Sequence, residues 1–501
     1  MLIKTIEQEV FMIKVGIIGS GFSSLSSACY LAQSGYEVHI FEQHTNVGGR
    51  ARKFTEHGFT FDMGPSWYWM PGVFENFFAD FGKKVSDYYT LQRLDPSYQV
   101  FFKDSIVDIP ADLNALKELF ESWEPGSAKA LDTFLVEAAF KYKLGMEKIV
   151  LKPGKSITEF FDSEIILGAL KMHIFSSFDS YTKKFFKDDR ILKLLEFPIL
   201  FLGATAQTTP ALYSLMNYAD IKLGTWYPQG GMHKIVESME KLARELGVHI
   251  HLNSKVEKIH VVDGKVEGIS LEGNKKISLD KVVAGADYHF VETKLLEKKY
   301  RKYSDSYWES RQMAPSSLIF YLGINKKLER VQHHSLFFDE EFDLHAQEIY
   351  TDPKWPSKPL FYVCTPSVTD NTVAPEGCEN MFILMPLATG IEDNEVLREK
   401  YYSIIMDRLE NRIGQNIRDH VVVKKSYAIK DFKSDYNAFK GNAYGLANTL
   451  KQTAVLKPSI LNKKVSGLFY TGQLTVPGPG VPPAIISGKI VAQELINKDL
   501  V

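Results

Sequence analysis

The sequence predicts an α/β fold in which a parallel-sheet domain is interrupted twice, first by a helical insertion and later by a second sheet domain. Three stretches lead there. Residues 15–42 read as strand, glycine turn, helix and strand. Residues 282–287 return as a buried strand entering a loop, and residues 467–483 end another short strand in a loop crowded with glycine and proline.

Val15, Ile17 and Ile18 form the short apolar run of a strand buried on both faces of a parallel sheet. The turn Gly19-Ser20-Gly21-Phe22-Ser23-Ser24 follows, with a helix expected over 25–33. A strand feeding a glycine turn and then a helix is the Rossmann-like dinucleotide fingerprint. Gly19 permits the tight turn, and Gly21 lets backbone amides approach a pyrophosphate on the positive end of the helix. Ser24 takes the third glycine position, where only close packing is required. The second strand, 38–41, delivers Glu42 at the spacing from which an acid accepts ribose hydroxyls. Gly48-Gly49-Arg50 then offers a second close-approach glycine and a planar guanidinium suited to phosphate. Phe59 and Phe61 alternate as a strand that breaks into the loop Asp62-Met63-Gly64-Pro65-Ser66.

Between these anchors lie the two excursions. Residues 112–120 and 128–142 carry helical periodicity, followed by aromatic-rich segments at Phe160-Phe161, 174–178 and Phe185-Phe186. Interleaved with lysine, such segments suit a domain core or a surface laid against lipid headgroups. A dense glycine turn at 224–232 precedes an amphipathic helix over 233–246. Strands at 248–252, 254–261 and 265–271 follow, with a hairpin turn at Asp263-Gly264. Strand candidates at 317–323, 360–364 and 381–386 suggest a separate sheet, with an apolar substrate cavity between it and the helices. The implied segments are 12–88, 223–300 and 446–501 for the nucleotide domain, 89–222 for the helical insertion and 301–445 for the sheet domain.

Composition narrows the function classes. With 501 residues, 45% of them hydrophobic, the chain can bury a large core over several domains. A formal net charge of −2 gives no bulk drive toward nucleic acid. Cys29, Cys364 and Cys378 are too widely spaced for a metal motif or a disulfide framework, which suits a reducing compartment. Residues 1–12 do not read as a secretory signal, and the most apolar stretch, 194–206, is short and broken by Pro198.

Taken together, GSGFSSLSSACYLAQSGYEVHIFEQ, NVGGRA, FTFDMGPSWYWMP, GTWYPQGGM, NAYGLA and TGQLTVPGPGVPPAIISG resemble the bacterial-type phytoene desaturases of the flavoprotein amine oxidase superfamily. The resemblance spans nearly the whole chain. It implies a non-covalent FAD, a long acyclic polyene as substrate and peripheral attachment to the inner face of the cell membrane. It also implies oxygen or a membrane quinone as electron acceptor, with no nucleic-acid partner and no metal. The cofactor-binding set expected on this basis is Gly19, Gly21, Phe22, Ser23, Ser24, Glu42, Gly49, Arg50, Gly64, Pro65, Ser66, Val256, Gly472, Gln473, Gly480, Val481 and Pro482. NAD would leave Gly48-Gly49-Arg50 and the C-terminal loop without a role. Desaturation would pass a hydride from an allylic carbon to flavin and release a proton, because no side chain accepts a hydride. Many family members carry a histidine before the C-terminal Pro-Gly, where this chain has Val476, so no proton-carrying role transfers and the catalytic base is unassigned. Rival readings are a 3,4-desaturase of hydroxylated or monocyclic carotenoids, an oxidase of polar amines, and a non-catalytic prenyl-lipid chaperone on the same scaffold.

Overall fold

A computed structural model describes residues 12–500 except 162–163, 166–167, 169–172, 174–175 and 201–204. The segment before Met12, and parts of the 174–178 and 194–206 stretches, lie outside the described residues. Five parallel strands, in the order Leu468–Tyr470, Lys281–Ala284, Lys14–Ile18, Glu37–Phe41 and His249–His251, form the nucleotide-domain sheet from three separated parts of the chain. The Val256–Val262 and Lys265–Leu271 hairpin turns through Asp263 and Gly264, both at positive φ, which is the geometry a two-residue hairpin loop needs.

The first helix, Phe22–Gln33, and the last, Val481–Asp499, cross in close contact because both are small where they meet. Ser26 Oγ donates to Ile485 O at 2.7 Å and Ser27 Oγ to Gly488 O at 3.1 Å, so the serines are buried without losing their hydrogen bonds. A Cβ on Gly488 would lie 2.3 Å from Ser23 O. Both helices begin earlier than the sequence pattern suggests, at Phe22 rather than residue 25 and at Val481 rather than Ala484. Gly21 and Gly480 occupy the N-cap positions, and Pro482 and Pro483 suit a first turn that has no use for their missing N–H groups.

The second sheet has seven strands, in the order Val421–Tyr427, Ser316–Ile324, Glu379–Leu387, Phe361–Cys364, His334–Phe338, Tyr98–Phe102 and Ile106–Ile109. Its period-2 alternation separates two faces. Leu318, Phe320, Leu322, Phe361, Val363, Met381, Ile383 and Met385 bury one face against Tyr402, Ile405, Met406 and Leu409 of the helix Glu395–Ile413. Full burial of such a side chain contributes about 1.5–3 kcal/mol. The intervening residues Ile319, Tyr321, Tyr362, Phe382 and Leu384 join the other main core, toward the nucleotide domain.

The two strands between Tyr98 and Ile109 correct the sequence reading, which placed them in the helical insertion 89–222. Tyr98–Phe102 pairs in parallel with His334–Phe338, so this segment extends the second sheet. A third short strand, Leu91–Arg93, pairs with Trp226–Pro228. The insertion proper is helical. Leu113–Trp123 starts at Asp112, whose side chain accepts from Asn114 N and Ala115 N, and Ser127–Leu144 and Asp189–Leu200 follow. Around it Val136, Phe140, Leu151, Ile157 and Phe161 are exposed. Among the described residues, no helix is long and apolar enough to cross a membrane.

Candidate active site

A large cleft opens beyond the C-terminal ends of the parallel strands and runs to the inner face of the second sheet. Ile18, Phe41, Gly285 and Thr471, at or just past four strand ends, all line it. One end is built from glycine loops. Gly19 sits at φ +87°, a conformation that favours glycine, and its N–H is held by Phe41 O at 2.8 Å. Gly21 is different. It has ordinary extended geometry, φ −71° and ψ 176°, and a Cβ there would meet no protein atom within 4 Å. Nothing in the chain itself calls for a glycine at this position, so the vacant side faces whatever occupies the cleft.

Charge at this end is arranged around the same loops. The Glu42 carboxylate, nearly buried, accepts from Ser20 N at 3.0 Å, Ser20 Oγ at 2.6 Å and His44 N at 2.9 Å. It therefore fixes the turn while presenting its edge to the cleft. Arg50 lies with its guanidinium carbon 5.0 Å from the centre of the Tyr436 ring, and its Nε is buried without a hydrogen-bond partner. With the Gln473 amide in its better-satisfied orientation, Arg50 donates to it at 3.1 Å. Burial lowers the Arg50 pKa, opposed by the nearby Asp287 carboxylate; burial raises that of Asp287, opposed by Arg50. The neighbouring Arg52 is bound to Asp435 at 2.6 Å. An orphaned guanidinium nitrogen, an acid beside it, two helix N-termini and an open glycine fit the donors and acceptors of a flavin dinucleotide.

The other end is apolar and aromatic, walled by Met63, Trp67, Trp69, Met70, Met216, Ile319, Leu384 and Phe432. Two tyrosines of the second sheet hold the intervening loop in place. Tyr321 donates to Met63 O at 2.7 Å, and Tyr362 donates to Ser66 Oγ at 3.0 Å. Behind Tyr362, His334 Nδ1 lies 2.7 Å from the phenol oxygen, and the imidazole stacks on Trp67 with ring centres 4.0 Å apart. Complete burial holds His334 far below the usual histidine range and raises the Tyr362 phenol well above its own.

Gly19, Gly21, Phe22, Ser23, Glu42, Gly49, Arg50, Gly64, Pro65, Ser66, Val256, Gly472, Gln473, Gly480, Val481 and Pro482 all line this cleft. Ser24 does not. It lies in the first turn of the first helix, fully buried on the sheet side, where its Oγ would lie 2.0 Å from a Cβ on Gly285. Its inclusion in the binding set is corrected accordingly: the position serves helix-to-sheet packing, and Gly285 supplies the absent side chain that lets a serine fit. The motifs gave no sign of Lys255, Asp287, Phe432 or Tyr436 in the lining. Lys255 adjoins a strand already expected to contribute Val256 and Asp287 ends the 282–287 stretch already expected to enter a loop, but Phe432 and Tyr436 sit in a segment without turn or glycine signatures.

A family model described as flavin containing amine oxidoreductase matches residues 22–496. A carotenoid 3,4-desaturase from Haloarcula japonica is 38% identical over 96% of this chain and 98% of its own length. A zeta-carotene-forming phytoene desaturase from Myxococcus xanthus is 29% identical over 97% and 94%. A 4,4'-diapophytoene desaturase from Staphylococcus aureus is 30% identical over 97% and 99%. Among solved structures, a putrescine oxidase triple mutant aligns with TM-score 0.60 at 12% identity over 97% of this chain and 99% of its own. A RAB GDI from Plasmodium falciparum aligns with TM-score 0.56 at 12% identity over 97% and 98%. At such identities these two share the fold alone.

Proposed function

This chain belongs to the flavin-containing amine oxidoreductases, among their carotenoid desaturases, and from that premise we propose that it desaturates a long acyclic polyene, converting phytoene toward lycopene. As a family member it is an FAD-dependent oxidoreductase acting on CH–CH bonds. The observation that carries the substrate reading is the single cleft: a glycine-lined, charge-bearing end continuous with an apolar, aromatic-walled end.

FAD bound at the glycine end supplies the hydride acceptor. The chain's own groups do the rest. Gly21 and Gly49 would let the backbone approach the dinucleotide, Glu42 would take its ribose hydroxyls, and Arg50, whose Nε has no protein partner, would hold a phosphate or ring oxygen. Tyr321 and Tyr362 would hold the loop from Met63 to Ser66 at the junction of the two ends and so fix how closely the polyene approaches the cofactor. Met63, Trp67, Trp69 and Met70 exclude water, which keeps nucleophiles from the electron-poor carbon that forms as hydride leaves.

The substrate dissolves in lipid, and the exposed Val136, Phe140, Ile157 and Phe161 support docking of the helical insertion on the inner face of the cell membrane. Electrons then pass to oxygen or to a membrane quinone. The similarity to a 3,4-desaturase at 38% identity supports a second reading, insertion of a double bond near the end of a hydroxylated or monocyclic carotenoid. Expression in cells that accumulate phytoene separates the two. Red lycopene supports the first reading; unchanged phytoene, with conversion only of hydroxylated or monocyclic carotenoids, replaces it with the second.

A further inference from the structure

Desaturation releases a proton inside an apolar cleft, and a group there must receive it. We propose that Tyr362 is the group that takes this proton, with His334 behind it receiving the phenol's own proton and Ser66 holding the phenol in line. The proposal rests on the desaturase reading and supplies its missing base.

Tyr362 and Ser66 both line the cleft, and the phenol oxygen bridges Ser66 Oγ at 3.0 Å and His334 Nδ1 at 2.7 Å. Hydroxyl hydrogens rotate, so in the reactive arrangement the phenol donates to Nδ1 while Ser66 donates to the phenol. Three features of His334 suit it to this part. It is fully buried, its ring is clamped by Trp67, and its Nε2 has no hydrogen-bond partner. Orphaned buried nitrogens are uncommon and are retained where chemistry uses them. Ser66 also borders a second, small cavity whose lining includes Asp62, Tyr227, His333 and Asn380.

The step balances. A hydride leaves one allylic carbon for FAD, and the C–H electron pair on the adjacent carbon becomes the new π bond. That carbon's proton forms a bond to Tyr362 Oη as the phenol O–H bond breaks toward His334 Nδ1. The two electrons remain on flavin until oxygen or quinone removes them. Burial keeps Tyr362 a neutral phenol, so it must pass its proton on as it gains one. Burial also makes His334 a weak base, which suffices, because a C–H beside an allylic cation is a very strong acid. A weak base sealed behind a phenol cannot trap that cation as a nucleophile would.

The test uses FAD-loaded enzyme with phytoene in phosphatidylcholine vesicles, or a hydroxylated carotenoid if phytoene is not converted. Tyr362→Phe and His334→Asn should keep stoichiometric flavin and an essentially unchanged KM, while kcat falls by ~10²–10⁴, the usual range for a lost acid–base group. His334→Asn is the discriminating variant. Its amide oxygen still accepts from the phenol near the Nδ1 position but binds no proton, so a positioning role alone predicts near-normal kcat. The wild type should show a solvent deuterium isotope effect on kcat that Tyr362→Phe abolishes. A Tyr362→Phe enzyme turning over within ~3-fold of wild type would overturn the assignment. So would stoichiometric zinc lost on His334→Asn, since His333, His334 and Cys364 place ligand atoms within 4.8 Å of one another. A wild-type enzyme that oxidises no polyene would instead remove the desaturase reading, and this proposal with it.

Discussion

Gly21→Val tests the cofactor end of the cleft, because here the protein and the ligand make opposite demands. The backbone at Gly21 is already extended, and a Cβ would meet no protein atom within 4 Å. Valine adopts that extended conformation, and the gain of about 0.4–1 kcal/mol through the unfolded chain is opposed by the loss of a favoured N-cap residue. The apo variant should therefore unfold close to the wild-type temperature. With FAD present the two should separate. A ligand at a hundred times its Kd stabilises the wild type by about 2.7 kcal/mol. For 501 residues the unfolding entropy is about 1 kcal/mol per kelvin, so this corresponds to a Tm rise of roughly 3 °C. The variant, with its side chain in the dinucleotide's place, should show no rise and should purify colourless. Paired scans with and without FAD, together with flavin absorbance, measure all of this. Stoichiometric yellow flavin on Gly21→Val would refute the placement. The contrasting control is Gly285→Val, whose Cβ would fall 2.0 Å from Ser24 Oγ and which should lower apo stability itself.

Gly488→Val should destabilise by about 1–3 kcal/mol or more in thermal unfolding, because its Cβ would lie 2.3 Å from Ser23 O and force the first and last helices apart. Lys457 is bound to Asn448 at 2.9 Å, and burial brings it from its ordinary 10.5 down to about 8. Between those values the unfolded state holds more protons than the folded one, so stability should rise with pH through that window, and Lys457→Met should flatten the rise in denaturant titrations. Replacing Val136, Phe140, Ile157 and Phe161 together with serine should leave soluble turnover of detergent-dispersed substrate unchanged while abolishing co-sedimentation with phospholipid vesicles. Undiminished vesicle binding by that variant would move the docking surface elsewhere.

What the sequence made legible was local. Apolar strand, glycine turn and helix follow one another within residues 14–33, so a reader of one segment meets the whole cradle. The unread parts depend on partners far away in the chain. Tyr98–Phe102 follows the turn residues Asp95-Pro96-Ser97, so its strand signal is local, but its place in the second sheet rests on pairing with His334–Phe338. Ser24 looked like a cofactor contact because the glycine that answers it, Gly285, belongs to another segment. Tyr362 and His334 carry no motif at all. Antiparallel register sets Leu336 opposite Tyr362 and His334 opposite Cys364, and only that register brings the imidazole to the phenol.

The same alternation explains how one scaffold keeps a cofactor while changing its substrate. Along Ser316–Ile324, Phe361–Cys364 and Glu379–Leu387, every second residue is buried against the helix Glu395–Ile413 and is committed to holding the sheet. Residues between them, Ser317, Ile319, Tyr362 and Leu384, face the cleft. A change at a helix-facing position removes packing and loses stability, whereas a change at a cleft-facing position reshapes the wall the polyene lies against. On the proposed reading the glycine end has no such freedom, since a dinucleotide there would dictate its backbone geometry. Cofactor and substrate would then be recognised by different chemistries within one cleft, and the loop Gly64-Pro65-Ser66, bonded to the sheet through Ser66, is where the two would have to agree.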